Sequence, residues 1–284
     1  MVPTVVVVLE PTFDGRLALV LLLVAVVLGV ALLVLAGLTL GWSVARAVRS
    51  ARRDRVRDGV RETLVEGVFD LEFDWATWVK EMSEVERAVV ETELNQYIRE
   101  LDGKNAERLR ELGVALELPE RSGGRLGARD EFQRLRALTW LCLLHRPAET
   151  ERVGFEAKTM RERAVLARLR YETDGFDDPR EGIRLLVAER TAPLSVFAQD
   201  TLYTVALEEP AALFEVAGDT AQTWSDSLLV QVLVVCQHIG SNVTTEELSW
   251  VTSALEHDNE RVRKAAALAL GNLGWRRDLR STAL

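Results

Sequence analysis

Three histidines are the first side chains in this sequence that could take part in acid–base or metal chemistry. They are His145, His238 and His257, and each falls near the end of a predicted helix, far from the others in sequence. Their spacing matches neither HExxH nor another zinc-ligand pattern. A histidine in the last turn complements the negative end of the helix dipole, so we interpret all three as helix caps rather than ligands. GxSxG, Walker, GxGxxG and catalytic-cysteine signatures are also missing, which predicts a non-enzymatic chain without catalytic residues, cofactor or metal.

The two cysteines, Cys142 and Cys236, lie far apart inside apolar helical patterns and form no CxxC pair. A disulfide framework needs more cysteines at closer spacing. We predict two buried, reduced thiols that pack as small apolar side chains.

The turn DGFDDP, from Asp174 to Pro179, groups three aspartates that could hold a divalent cation. It lacks the other ligands and the terminal glutamate of an EF-hand. We therefore favour an acidic loop that caps the following helix.

Asp200 and Tyr203 stand three residues apart in the stretch FAQDTLYT and would share one helix face. Two interpretations remain open. If the helices stack into a solenoid, these residues would line its concave face, which such proteins use for binding. Alternatively, they form a hydrogen-bond network at the edge of the core.

An uncharged apolar run from Leu17 to Leu40 precedes all of these residues. At about 1.5 Å per residue it is longer than the roughly 30 Å hydrocarbon core, so it predicts one transmembrane helix. A cleaved signal peptide is the alternative, but it would have a basic start and a shorter apolar segment. The residues before the run include Glu10 and Asp14 and a single Arg16, so we favour an uncleaved anchor.

A cluster of arginines follows the apolar run and predicts its direction in the membrane. These residues are Arg46, Arg49, Arg52, Arg53, Arg55 and Arg57. Basic residues flank the cytoplasmic end of a span, so we expect the N-terminus outside and the C-terminal domain in the cytoplasm of a single-pass cell-membrane protein. Trp42 fits an interfacial anchor. The arginines serve either as a topology signal alone or also as a site for anionic headgroups.

The chain is acidic overall, with 44 Asp and Glu against 35 Lys and Arg and a net charge of −9. A negative surface repels nucleic-acid phosphates unless a basic stripe is segregated, and the visible basic cluster lies beside the membrane segment. We therefore expect no nucleic-acid partner.

Helical signals dominate after the membrane segment. Val56, Val60, Leu64 and Val68 recur every four residues and predict that the membrane helix continues as an amphipathic stalk. Ser83 and Glu86 form a capping box that opens the next long helix. Trp75 and Trp78 precede it, and we favour a buried core position for them over an exposed partner anchor. The Gly-rich stretch ELPERSGGRLG, residues 117–127, reads as a boundary between two helical parts.

A pattern of apolar or small residues at +4, +7 and +8 recurs every 34 residues in the second part. The four sets begin at Val262, Leu228, Leu194 and Met160. Their other members are Ala266, Ala269 and Leu270; Val232, Val235 and Cys236; Ala198, Thr201 and Leu202; and Ala164 and Ala167, with Arg168 interrupting the last place. Between them lie predicted partner helices at 179–189, 210–217 and 245–257. Such helix pairs share a continuous core by stacking.

The stretch DNERVRKAAALALG, from Asp258 to Gly271, resembles the second helix of a HEAT repeat. The resemblance implies that Arg263 pairs with a turn aspartate, here Asp258, and Arg161 occupies the same place in TMRERAVLA. Ser195 and Leu229 depart from this pattern in the two units between. The chain as a whole is similar to membrane-anchored prokaryotic HEAT-repeat proteins, and the match covers roughly residues 126–284.

These observations predict an all-α protein in which one N-terminal transmembrane helix precedes a cytoplasmic α-solenoid of HEAT-like helical hairpins. Its parts are a short extracytoplasmic N-terminus, a transmembrane helix, a basic juxtamembrane helix, a helical linker domain and a HEAT-like repeat domain, at residues 1–16, 17–42, 43–72, 73–125 and 126–284.

We expect a non-enzymatic scaffold or adaptor that binds the lipid bilayer through residues 17–42 and a protein partner through its solenoid. That partner would be a membrane-associated enzyme or a signalling protein. Two alternatives stay open. One is a lyase- or glycosylase-like enzyme, or a ligand-binding protein, that uses the concave groove. The other is a self-associating structural membrane protein.

Overall fold

A computed structural model describes residues 15–239 and 248–273, and within these ranges every regular element is a helix. Contacts divide the chain into two compact units. The first comprises residues 1–66 and 83–90, and the second comprises residues 67–82 and 91–284. The predicted extracytoplasmic N-terminus, residues 1–16, lies almost wholly outside the described residues.

The first unit contains most of α1, a continuous helix over Gly15–Phe69. Its segment Leu22–Ser43 has a mean hydropathy of 2.9, and none of it is buried within the protein. In the described part of the chain this segment is long and apolar enough to cross a membrane, a test that a signal sequence also passes.

The predicted stalk is confirmed as a continuation of the same helix, and its apolar face is partly covered. Val60 and Leu64 are buried, whereas Gly59 before them and Glu62 between them are exposed. Ser83 and Glu86 form the predicted capping box of α3, which covers Glu84–Glu100. The Glu86 carboxylate accepts from the Ser83 amide at 2.8 Å, and Ser83 Oγ accepts from the Glu86 amide at 3.3 Å.

In the second unit, Arg108 of α4 (Gly103–Ala115) contacts the residues that follow α1. Its Nη2 donates to the carbonyl oxygens of Asp70 and Phe73 at 2.9 and 3.0 Å, and its guanidinium lies 5.5 Å from the Trp75 ring centre. Trp75 is 4% exposed, as expected of a core side chain, and Trp78 is half-buried beside it. Arg108 therefore binds the turn that follows α1 to α4.

The remaining helices of this unit alternate between short and long. The short ones directly precede the long ones, and we call them A helices and B helices respectively. The unit also contains α2 at Trp75–Glu81 and α4 at Gly103–Ala115. The A helices are α5 at Leu118–Arg125, α7 at Ala148–Arg152, α9 at Pro179–Leu186, α11 at Pro210–Thr220 and α13 at Ser249–Ser253. The B helices are α6 at Glu131–Leu143, α8 at Met160–Glu172, α10 at Val196–Glu208, α12 at Asp226–His238 and α14 at Glu260–Leu273.

Each B helix contacts the next one along the chain, in the order α6, α8, α10, α12 and α14. Among the A helices, α5 contacts α7, and α11 contacts both α9 and α13. One apolar core runs between A and B helices from α8 to α14, with Ile183, Leu202, Phe214 and Val232 fully buried in it. Trp224 and Trp250 belong to this core.

The strict 34-residue period was wrong for the upstream helices. The B helices begin 29, 36, 30 and 34 residues apart, so the period holds only between α12 and α14. Leu194 stands before the N-cap Ser195, and the residue equivalent to Val262 is Ala198, four residues later. Four residues are about one helical turn, so the shifted set still lies on the buried face and the apolar pattern survives.

Residues 117–127 were interpreted as a boundary between two helical parts, but a helix, α5 at Leu118–Arg125, occupies most of this stretch. Ser122 and Gly123 are buried there. A Cβ on Gly123 would come within 3.2 Å of Arg152 Nη2 on α7, so the small residues permit close helix packing.

The partner helix expected at 245–257 is described from Leu248 onward, and its predicted start at Thr245 lies outside the described residues.

Candidate functional site

A row of polar side chains crosses three successive B helices, and we call it the polar row. Its members are His145 at the end of α6, Arg168 and Glu172 on α8, and Asp200 and Thr204 on α10, with Arg110 of α4 at one end. The helices bring these residues together because α6 packs against α8 and α8 packs against α10. The row therefore links charged side chains on neighbouring B helices.

Arg168 lies at the centre of the polar row and joins α8 to α10. Its Nε donates to Glu172 Oε1 at 2.6 Å, and its Nη1 lies 2.9 Å from Thr204 Oγ1 and 3.4 Å from Asp200 Oδ2. The Arg168 side chain is 25% exposed and the Asp200 side chain is 63% exposed. Both charges therefore remain accessible to a partner while they hold each other in place.

Glu172 connects Arg168 to the end of α6. Burial alone would raise the pKa of its carboxyl, but hydrogen bonds with His145 and Arg168 outweigh burial and hold that pKa below its usual range. Glu172 is therefore an anion in the row rather than a proton donor at neutral pH.

His145 has a left-handed backbone, with φ 53°, just after α6 ends. Its Nε2 lies 3.0 Å from Arg110 Nη2, which can only donate, and 3.3 Å from Glu172 Oε2, which can only accept. A single ring nitrogen carries either a hydrogen or a lone pair, so it bonds one of these partners at a time. The hydrogen bond to Glu172 is the one that agrees with the lowered pKa of that carboxyl.

Cys142 lies beside the row, with its Sγ 3.8 Å from Glu172 Oε2. Burial, and then the neighbouring Glu172 charge, raise the pKa of the thiol to about 12. Burial raises the pKa of the Cys236 thiol as well. Because the thiolate is the nucleophilic form, both cysteines are inert core side chains near neutral pH, as the sequence predicted.

The other two histidines lie at helix ends. His257 Nδ1 accepts from the Asn259 amide at 3.1 Å, and His238 occupies the last turn of α12. Asp178 of the acidic turn caps α9 by accepting from the Arg180 amide at 2.9 Å. Within residues 15–239 and 248–273, no group of three or more His, Cys, Asp and Glu is placed to hold a metal ion.

Of the two residues predicted on a binding face, Asp200 is exposed within the polar row. Tyr203 is half-buried and packs against the apolar core. The contact between Asp200 and Arg168 is a hydrogen-bond network at the core edge, and the exposure of Asp200 leaves the binding interpretation open as well. Arg168 and Glu172 are functional candidates that the sequence analysis did not select.

The residues that define the repeat lie as follows. Val262, Ala266 and Ala269 are buried in the core, Leu270 is half-buried, and Gly271 is exposed. Arg161 is exposed at the start of α8.

Arg263 does bind the turn, but through the main chain. Its Nη1 donates to the carbonyl oxygens of His257 and Asp258 at 2.7 Å each. The Asp258 carbonyl, rather than the carboxylate suggested by the resemblance, is the partner.

Arg134 on α6 makes the same contact, which the sequence analysis missed. Its Nη1 donates to the carbonyls of Ala128 and Arg129 at 2.9 and 2.8 Å. In both places a capping residue, Asp130 or Asn259, precedes the arginine by four positions. This shared spacing is the sequence signal that could have identified Arg134 as equivalent to Arg263.

The membrane-flanking residues all lie in α1. Trp42 is exposed. Arg46, Arg49, Arg52 and Arg53 follow in the same helix, and their side chains are outside the described part.

Comparison of the chain with protein-family models, with curated proteins and with solved structures finds no match. Over residues 15–239 and 248–273 the structure defines the class: every regular element is helical, and one N-terminal segment is long and apolar enough to cross a membrane.

Proposed function

We propose that this chain is a membrane-anchored adaptor whose A and B helices form a HEAT-like α-solenoid that holds a protein partner at the cytoplasmic membrane surface. The observation that carries the proposal is the polar row. It presents an accessible cation and an accessible anion, Arg168 and Asp200, across neighbouring B helices. Stacked repeats typically bind partners through such a surface.

Serial packing supports the solenoid part of the proposal. Each B helix contacts its neighbours in chain order, and the apolar core continues from one pair of A and B helices to the next. The turn contacts of Arg134 and Arg263 support the HEAT resemblance at the first and the last B helix. The intervening units depart from it, since Ser195 is an N-cap and Leu229 is a core residue.

The uncovered apolar surface of Leu22–Ser43 supports the membrane part. Exposing apolar area to water costs roughly 25 cal/mol per Å². Insertion into a bilayer removes the apolar surface of these 22 residues from water and so lowers their free energy. Tethering raises the local concentration of whatever the helical region holds.

A photo-crosslinking amino acid at position 200 tests partner binding. Introduced in place of Asp200 in cells, it should give a discrete adduct heavier than the chain alone. The matched control replaces Asp219, an exposed acid on α11, and should give none. An adduct of two copies of the chain would favour the self-associating alternative. Equal adducts from both positions would refute the polar row as the binding surface.

Cysteine labelling tests the membrane topology. The native thiols are buried, so they contribute little background. An impermeant maleimide added to intact cells should label Thr12→Cys and should leave Asp174→Cys unlabelled. The reverse pattern would overturn the orientation, and a mature protein that begins after the apolar segment would identify a cleaved signal.

A further inference from the structure

A cavity of about 240 Å³ lies at the end of α8, the start of α9 and the turn between α10 and α11. Two aromatic side chains, three carboxylates and one guanidinium line it: Tyr171, Phe176, Asp174, Glu208, Glu209 and Arg170. The buried Val205 lines it as well. The cavity therefore combines aromatic and acidic groups in one recess.

Packing and hydrogen bonding hold the two rings in place. Phe176 lies against Gly182 of α9, where a Cβ would approach the ring within 2.8 Å, so a glycine is needed for this ring position. The Tyr171 hydroxyl bonds the Glu208 carboxylate, and burial together with this bond raises the pKa of Tyr171. Both rings are half-buried and leave part of their surface to the cavity.

Charge determines which ligand suits these rings. Three carboxylates face a single guanidinium, Arg170, and the whole chain carries a net charge of −9. Aromatic faces and carboxylates together attract a cation. A guanidinium fits better than an ammonium because it is planar, stacks on rings and binds carboxylates through two parallel hydrogen bonds.

We propose that this cavity, which we call the acidic–aromatic cavity, receives the guanidinium of an arginine side chain on the bound partner. The proposal rests on the proposed adaptor function and adds the chemistry by which the partner is recognised. Tyr171 and Phe176 contact the guanidinium plane, and Glu208 and Glu209 accept its hydrogen bonds. Arg170 opposes the incoming charge and keeps the affinity of a single arginine low.

Equilibrium dialysis of the full chain in detergent micelles, at low salt, provides the test. The probe is the labelled peptide acetyl-Gly-Arg-Gly-amide. Two matched peptides carry lysine or citrulline in place of arginine, and citrulline keeps the shape of arginine without its charge. We expect saturable binding of the arginine peptide, binding of the lysine peptide weaker by about fivefold, and no saturable binding of the citrulline peptide.

Variants locate the site. The double variant Glu208→Gln/Glu209→Gln should weaken binding about tenfold. Arg170→Gln should strengthen binding, a gain that misfolding cannot produce. Asp219→Asn removes one exposed charge outside the cavity and should leave binding unchanged.

Equal binding of the citrulline peptide would overturn the proposal, as would equal loss in the Asp219 control or weaker binding in the Arg170 variant. If crosslinking from position 200 succeeds while the arginine peptide does not bind, this inference fails alone. If the peptide binds and no partner adduct forms, the cavity is a site for free guanidinium compounds, and the proposed function fails instead.

Discussion

The buried ion pair between Arg134 and Glu162 should be the most sensitive point of the helical region. Glu162 is fully buried, and the Arg134 side chain is 11% exposed. Arg134 Nε donates to Glu162 Oε1 at 2.8 Å, while Glu162 Oε2 accepts from the amides of Lys158 and Thr159 at 2.8 and 3.2 Å. One carboxylate thus caps α8 and neutralises a cation on α6.

The free-energy cost of removing the Glu162 carboxylate follows from the groups that lose it as a partner. Glu162→Ala strands the Arg134 guanidinium without its counter-charge and removes the capping box of α8. Breaking a buried ion pair costs about 3–5 kcal/mol, and a lost cap accounts for about 1 kcal/mol of such a change. We expect Glu162→Ala to lower the free energy of unfolding by about 4 kcal/mol and Arg134→Met to lower it by about 3 kcal/mol. The double variant should cost about 1–3 kcal/mol less than the sum, because neither charge is then left alone.

Urea unfolding of the full chain in micelles, followed by tryptophan fluorescence and circular dichroism, measures these changes. With a slope of about 2–3 kcal/mol per molar urea, each single variant should lower the midpoint by about 1–2 M. Lys264→Met is the control, since Lys264 and Glu260 form an exposed pair worth about 0.5 kcal/mol or less. If Glu162→Ala cost no more than this control, the packing of α6 on α8 described above would be refuted.

Three further predictions test the core, the thiols and the polar row. Ala266→Leu should cost about 1–3 kcal/mol by overpacking against α12, whereas Ala267→Leu on the exposed face of α14 should be tolerated, and equal unfolding midpoints would contradict the helix orientation. At pH 8, iodoacetamide should leave Cys142 and Cys236 unmodified in the folded chain and alkylate both in urea, and native alkylation of Cys142 would contradict a thiol pKa of about 12. Because folding lowers the pKa of Glu172, its contribution to stability is present above about pH 4.5 and is lost as pH falls through the folded pKa. The difference in unfolding free energy between wild type and Glu172→Gln should therefore shrink from pH 6 to pH 3, and a constant difference would count against the pairing.

Local signals in the sequence were sufficient for several elements. The capping box at Ser83 and Glu86 needs only residues three apart, and the structure contains it. The four-residue spacing of Val60 and Leu64 correctly identified a buried helix face. These features depend on contacts within one helix turn or along one face, which spacing alone determines.

Elements that depend on distant contacts were not predictable in the same way. Gly123 and Ser122 suggested a loop by composition, but they are small because α7 comes close to α5. The buried alanines Ala266 and Ala269 are likewise small residues on α14, which packs against α12. Whether a small residue marks a turn or a close helix contact depends on a neighbour that the local sequence does not show.

The polar row shows what an exception in a repeat pattern can mean. Arg168 was noted in the sequence only because it interrupted the apolar set that begins at Met160. In α8 it lies one residue before the core position Leu169, which is fully buried, so its long side chain starts at the core edge and reaches α10. A repeat with interchangeable units would place an apolar or small residue there, and a charge costs stability unless a neighbouring unit pairs it. Glu172 and Asp200 supply that pairing from two helices. A charge that replaces an apolar residue at one unit of a stacked helical array is therefore a reason to look for its partners on the adjacent units.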